Sequence, residues 1–151
     1  MANTQAMCTS FKSEILSGIH ALGTTVTRAG TGADTIKAAL YLASATVNAA
    51  TTAYSVTGEV SGTGYSAGGV TATNATAPTS SGTTAYWTPS ASFTYTTVTL
   101  TTSFDCVLVY NSTQSNKAIS AHTFGAQTIT AGTFVLSMPT NDASNALIRI
   151  A

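Results

Sequence analysis

Apolar residues along this chain follow two rhythms. Near the N-terminus Met7, Phe11, Ile15, Ile19 and Leu22 recur at spacings of four, four, four and three, which stacks them on one face of a helix. The spacing predicts an amphipathic helix over 4–22. Thr4 or Asn3 would cap it, Gly23 would stop it, and Lys12 and Glu14 would lie beside the apolar face. From residue 35 onward the period shortens towards two. Residues 35–42 read as a strand whose imperfect alternation suits burial on both faces. Further strand patterns fall at 70–76, at 85–101 through Phe93, Tyr95, Val98 and Leu100, at 105–110, at 117–124, and at 128–130, 133–138 and 147–150. Pro89 limits the start of the 85–101 segment.

The connecting segments carry their own signals. Residues 23–34 are a link of small residues, and 77–83 and 111–116 are polar turns. Residues 43–69 form a long polar loop with glycines at 58, 62, 64, 68 and 69. Tyr54, Val60 and Tyr65 would anchor it by packing down, and a loop of that length is usually functional or interfacial. The second half therefore holds five or six short strands about ten residues apart, without an internal repeat. This is the pattern of a mainly β fold: an antiparallel β-sandwich or jelly-roll-like barrel with one N-terminal α-helix. A single domain over 1–151 is expected, with the helix at 4–22 and the β body at 35–151. A chain of 151 residues buries enough surface to fold without a disulfide framework or structural metal.

Composition changes the picture in one respect. Five basic and five acidic side chains make up 7% of the chain, against roughly 25% in an average soluble domain, and the net charge is zero. Lys12, Arg28, Lys37, Lys117 and Arg149 are scattered singly, so the clustered cations that a nucleic acid requires are missing. Threonine, at 31 positions, takes the place of charge. It is β-branched and suits strands, and its hydroxyl wets a sheet face without charging it. A near-neutral surface favours self-association. Residues 1–10 lack a basic stretch followed by an apolar run, and no window approaches the ~20 apolar residues of a membrane span, so neither a leader nor a membrane is expected. With so much threonine, the glycosylation sequons at Asn74 and Asn111 are chance matches. Cys8 and Cys106 are expected to be free, buried thiols.

Candidate chemistry is thin. Gly62-Thr63-Gly64-Tyr65-Ser66-Ala67 fits a loose dinucleotide pattern but is followed by glycines and a threonine-rich strand, not by a helix. Ser120, with His122 or His20 and Asp105, could be assembled on paper as a hydrolytic triad. Ser120 and His122 share a strand face, yet no nucleophile elbow accompanies them, and a sheet histidine with a satisfied ring is the simpler reading. The two His and two Cys lack metal-ligand spacing, so no metal and no cofactor is expected. Asp142 in its Thr-Asn-Asp-Ala-Ser-Asn run is a turn former, not a calcium ligand. No pair among Glu14, Asp34, Glu59, Asp105 and Asp142 is placed for glycoside chemistry. Trp87, Tyr86, Tyr95 and Tyr54 could make a sugar-stacking face, although packing explains them more simply.

Four stretches carry a resemblance. They are the start Ala6-Met7-Cys8 through Phe11-Lys12 to Gly18-Ile19-His20, the loop Tyr54-Ser55 to Glu59-Val60-Ser61-Gly62-Thr63-Gly64-Tyr65, the segment Tyr110-Asn111-Ser112 with Ser115-Asn116-Lys117-Ala118, and the ending Asp142-Ala143-Ser144-Asn145-Ala146-Leu147-Ile148-Arg149-Ile150-Ala151. Together they resemble a group of small virion proteins of tailed bacteriophages. Residues 70–100 depart from that pattern. The resemblance implies a particle component, and with the thin candidate chemistry a non-enzymatic one without cofactor, assembled in the host cytoplasm, is expected. It would partner the major capsid protein or other virion proteins, as a homo-oligomer with a trimer favoured. Capsid decoration, or cement, at capsomer junctions is the first expectation. A tail, baseplate or fibre protein is the second, and a carbohydrate-binding adhesion module using Trp87 and nearby tyrosines is the alternative of another class. The contact residues expected are Met7, Phe11 and Ile15 on the helix face and Tyr54, Glu59 and Tyr65 in the glycine loop. The competing reading is that these six fill the protein's own core.

Overall fold

The structure, a computed structural model, describes residues 2–16, 18–23, 33–73 and 76–151. Most of the link expected at 23–34, with Arg28, and the sequon at Asn74 lie outside the described residues. The molecule is mainly β, with two antiparallel sheets and one short helix. Along the chain come β1 (Ala6–Met7), α1 (Thr9–Leu16), β2 (Ile36–Leu42), β3 (Val70–Thr71), β4 (Thr79–Ser81), β5 (Thr84–Trp87), β6 (Phe93–Asn111), β7 (Lys117–Leu136) and β8 (Ile148–Ile150). The larger sheet has the order β1-β7-β6-β2-β3, and the smaller one β4-β5-β8.

The helix expected over 4–22 is corrected to the eight residues of α1. The apolar spacing is real, but two different elements share it. Ala6 and Met7 pair with Ala121 and Ser120 on β7, and the Cys8 amide donates to the Ile119 carbonyl at 2.9 Å. Tertiary strand pairing thus overrides a helical period at that end. Beyond α1, Gly18 takes a left-handed conformation (φ +68), which ends the helical run before Ile19 and Leu22.

β2 is buried on both faces, as its continuous Ala-Ala-Leu-Tyr-Leu run requires, and it lies between β6 and β3. Instead of five or six short strands, the second half is dominated by one hairpin with arms of 19 and 20 residues. Straight arms of that length would reach about 65 Å. Five register shifts between β6 and β7, from Tyr95 to Tyr110, bend the hairpin, with Thr97 (φ 53) and Ala131 (φ 47) in left-handed conformations along the bend. The curl is visible in the packing. Phe134 is opposite Tyr95, and Phe104 is opposite Gln127, yet the rings of Phe104 and Phe134 meet edge to face at 5.1 Å. Ser115 and Asn116, both left-handed, turn the chain between the arms.

The segment expected as a loop at 77–83 instead carries β4 and the turn into β5. Trp87 on β5 pairs with Ile148 on β8, and its indole N–H donates to the Thr76 carbonyl at 3.0 Å. One core cluster joins the sheets and α1: Phe11, Leu40, Leu108 and Ile119 meet Trp87 and Ile148 within it.

Candidate functional site

Every acidic side chain of this molecule is held by donors from its own chain, and this governs what the surface can do. Glu59 is buried in the long loop. Its Oε1 accepts from the Tyr65 hydroxyl and the Gly68 amide, and its Oε2 from the Tyr54 hydroxyl, all at 2.7 Å. Burial raises the pKa of both tyrosines, and the bonded carboxylate raises it further, so both hydroxyls stay protonated donors. Tyr54 stacks on Tyr110 at 4.7 Å, and the Tyr110 hydroxyl donates to the Gly68 carbonyl at 2.9 Å. A bridge between Tyr41 and Glu59, with the Val60 amide donating to the Leu40 carbonyl, seats the loop on β2. At Gly62 and Gly64 the loop passes so close to β6 that a Cβ would run into the carbonyls of Thr99 and Thr97. These glycines serve backbone approach, not a phosphate.

A second knot ties the N-terminal segment to the hairpin turn. Lys117 Nζ donates to Glu14 Oε1 at 2.6 Å, and His20 Nε2 meets Glu14 Oε2 at 2.8 Å. Asn111 Nδ2 lies 3.0 Å from His20 Nδ1 and donates to Asp34 Oδ2 at 2.7 Å, and the Ala21 amide shares that oxygen. Burial lowers the His20 pKa against the pull of Glu14. Burial alone would raise the Glu14 carboxyl, but Lys117 and His20 carry it below its ordinary range. Asp105 accepts from Asn3 Nδ2 at 2.6 Å, and Asp142 accepts from the amides of Ser144 and Asn145 in the expected local turn.

The six residues expected at a contact surface therefore separate. Phe11 is fully enclosed in the molecule's own core. Tyr54, Glu59 and Tyr65 come together in the first knot and turn their polar atoms inward. Met7 and Ile15, half-buried, flank a groove. The sugar-stacking set loses its main member, because Trp87 is 1% exposed, and Tyr95 is buried with its hydroxyl on the Ala38 carbonyl.

Of the paper triad, one contact forms: Ser120 Oγ lies 2.8 Å from His122 Nε2. Asp105 is engaged by Asn3, and His20 belongs to the second knot. Burial pushes the His122 ring down to about 4, so it is neutral at pH 7. Cys8 and Cys106 are free and buried. Burial pushes their thiols up to about 11 and about 12, with Glu14 and Asp105 adding to the effect, which removes thiolate character at neutral pH. Among the described residues no group of three His, Cys, Asp or Glu side chains could hold a metal ion.

Two open features remain, and the sequence pattern pointed to neither. The first is the outer edge of β7: among the described residues its strand pairing ends at Ala121, and residues 125–128, 130–131, 133 and 135 are exposed. The second is the groove between that edge, α1 and β8. Its larger lobe, about 550 Å³, is lined by His122, Phe124, Leu136, Met138 and Leu147, with Arg149 at its border. A run of fourteen residues from Thr123 to Leu136 without charge or proline was the available signal for the open edge. In comparison with known proteins, no family model, curated protein or solved structure matches this chain.

Proposed function

We propose that this protein is a non-enzymatic structural component of a tailed-phage virion, a capsid decoration protein that binds at capsomer junctions and works as a homo-oligomer. The observation that carries the reading is where the charges go. All five carboxylates are engaged within the chain, and Glu14, Asp34 and Glu59 are buried. The outer face of the long hairpin presents threonine, serine, glycine and alanine instead. Charge is depleted at interface cores, and an uncharged strand edge offers backbone groups for pairing. A particle multiplies such contacts: weak edges sum across many copies.

The test is location in purified particles. Density-gradient virions, probed by mass spectrometry and by immunogold labelling against this chain, should carry it on the capsid at a fixed stoichiometry. Labelling restricted to the tail would replace decoration by a tail or baseplate role. A chain absent from washed particles would refute the virion reading.

A further inference from the structure

Next to the groove beside β7 lies a second lobe, of about 540 Å³, lined by Met7 of β1, Lys12 and Ile15 of α1, and Arg149, Ile150 and Ala151. The two lobes share Met7 and Arg149 in their linings, and together they are called the channel. Its walls are apolar at Met7, Ile15, Phe124, Leu136 and Ile150. Two of the four described cations, Lys12 and Arg149, line it, both exposed. Among the described residues no Asp or Glu side chain lines either lobe. Arg149 reaches the Ala143 carbonyl at 3.5 Å and feels Asp142, whose oxygens are already held by Ser144 and Asn145.

The backbone beside the channel is open as well. β1 follows β7 for two residues only. The chain then crosses away: the Thr4 amide donates to the Val47 carbonyl at 2.9 Å, and Asn3 bonds Leu42, Val47 and Asp105. The line that β1 would have continued along β7 is left vacant past Ala121.

We propose that this channel receives an extended, acidic segment of a neighbouring protein of the particle, laid along β7 where β1 departs, with carboxylates at Lys12 and Arg149. The idea rests on the assembly reading and names its partner chemistry. Strand addition supplies main-chain bonds, and alternate side chains find the apolar walls. The charge pattern selects the occupant. A second copy of this chain offers no acidic segment, because Glu14, Asp34, Glu59, Asp105 and Asp142 stand singly along the sequence and the first three are buried, so the acidic segment belongs to a different protein.

The probe is a fluorescein-labelled ten-residue peptide of alternating valine and glutamate, with a valine–lysine peptide as its counterpart. Fluorescence anisotropy at 50 mM NaCl should show the glutamate peptide binding at least about ten-fold more tightly, with the gap shrinking at 300 mM. The doubly exchanged variant Lys12→Glu, Arg149→Glu should reverse the preference while keeping the thermal midpoint, since both side chains are exposed. Equal binding of the two peptides, binding of neither, or an indifferent double variant overturns the proposal. Loss of self-association in that variant, seen by sedimentation, would make a second copy the occupant and overturn it too. The two ideas can fail apart. If wild type and double variant occupy particles equally, the channel proposal falls and the virion reading stands. If the peptide binds as expected and no particle carries the chain, the reverse holds.

Discussion

The two halves of the β6–β7 hairpin are built from one continuous ladder and meet different neighbours. Near the turn, Phe104–Asn111 is flanked by β2 along Ile36–Leu42, and Ala118–Ala121 lies under β1 and α1. There the residues are mostly Phe, Val, Leu, Tyr, Ile and Ala, with Asp105, Cys106, Asn111 and Ser120 among them, and nearly all are buried. In the distal half, 93–103 and 124–136, only the inward positions Phe93, Tyr95, Val98, Leu100, Phe124, Ile129, Phe134 and Leu136 join the core. The outward ones are mostly Thr, Ala and Gly, with no charge. Side-chain chemistry thus follows whether the same chain covers the ladder, and in the proposed assembly another protein would cover the rest. An ordinary solvent-facing edge would carry lysine or proline to block pairing. This one carries neither between Thr123 and Leu136.

The largest effects should fall in the enclosed half. Phe104→Ala removes a fully buried ring at the hub of the Phe124 and Phe134 contacts, and should cost about 4 kcal/mol in urea unfolding. Thr128→Ala, on the open edge, should stay within about 0.5 kcal/mol by the same measurement. A cost above about 2 kcal/mol for Thr128→Ala would erase the contrast. Glu59→Ala comes next. It leaves two hydroxyls and one amide without their acceptor, and should lower stability by roughly 3 kcal/mol and expose residues 54–68 to proteolysis.

Acid should act where the halves meet, at His122 opposite Val107. Its ring is neutral in the fold, held down to about 4 by burial, and free to protonate in the unfolded chain near 6.5. The stability this contributes is present above about pH 6.5 and is lost as pH falls towards 4, by roughly 2–3 kcal/mol. His20, also lowered by burial, acts in the same direction. Thermal midpoints from pH 7 to pH 4 should therefore fall, and His122→Gln should flatten the slope. An unchanged slope in that variant would place the proton uptake elsewhere. The smallest stability effect belongs to Thr128→Lys with Thr130→Lys, within about 0.5 kcal/mol, because both side chains are exposed. The same pair should lower the amount of the protein retained on purified particles, since an edge lysine opposes strand pairing.

Much of this architecture was legible in the residues. The doubly buried β2, the apolar 105–110 segment, the polar turn at 111–116 and the packed-down Tyr54, Val60 and Tyr65 all follow from period and turn chemistry. The length of the hairpin was not legible. Bulges keep the ladder running while they break the alternation, so 102–104, 125–127 and 131–132 read as gaps between short strands. The helix was overestimated because Met7, Phe11, Ile15 and Leu22 satisfy one period from three separate segments. The site was harder still. Glu59 is an isolated acid in sequence, and only the fold brings Tyr54, Tyr65 and Gly68 to it. Lys12 and Arg149, 137 positions apart, face one channel for the same reason.

Amide hydrogen exchange on the isolated protein and on the same protein mixed with the virions proposed to carry it tests the central idea most directly. Outward amides of 124–136 should exchange rapidly in isolation and become strongly protected on the particle, while 104–111 is protected in both. Equal, fast exchange of 124–136 in the two states would contradict a surface built for neighbours.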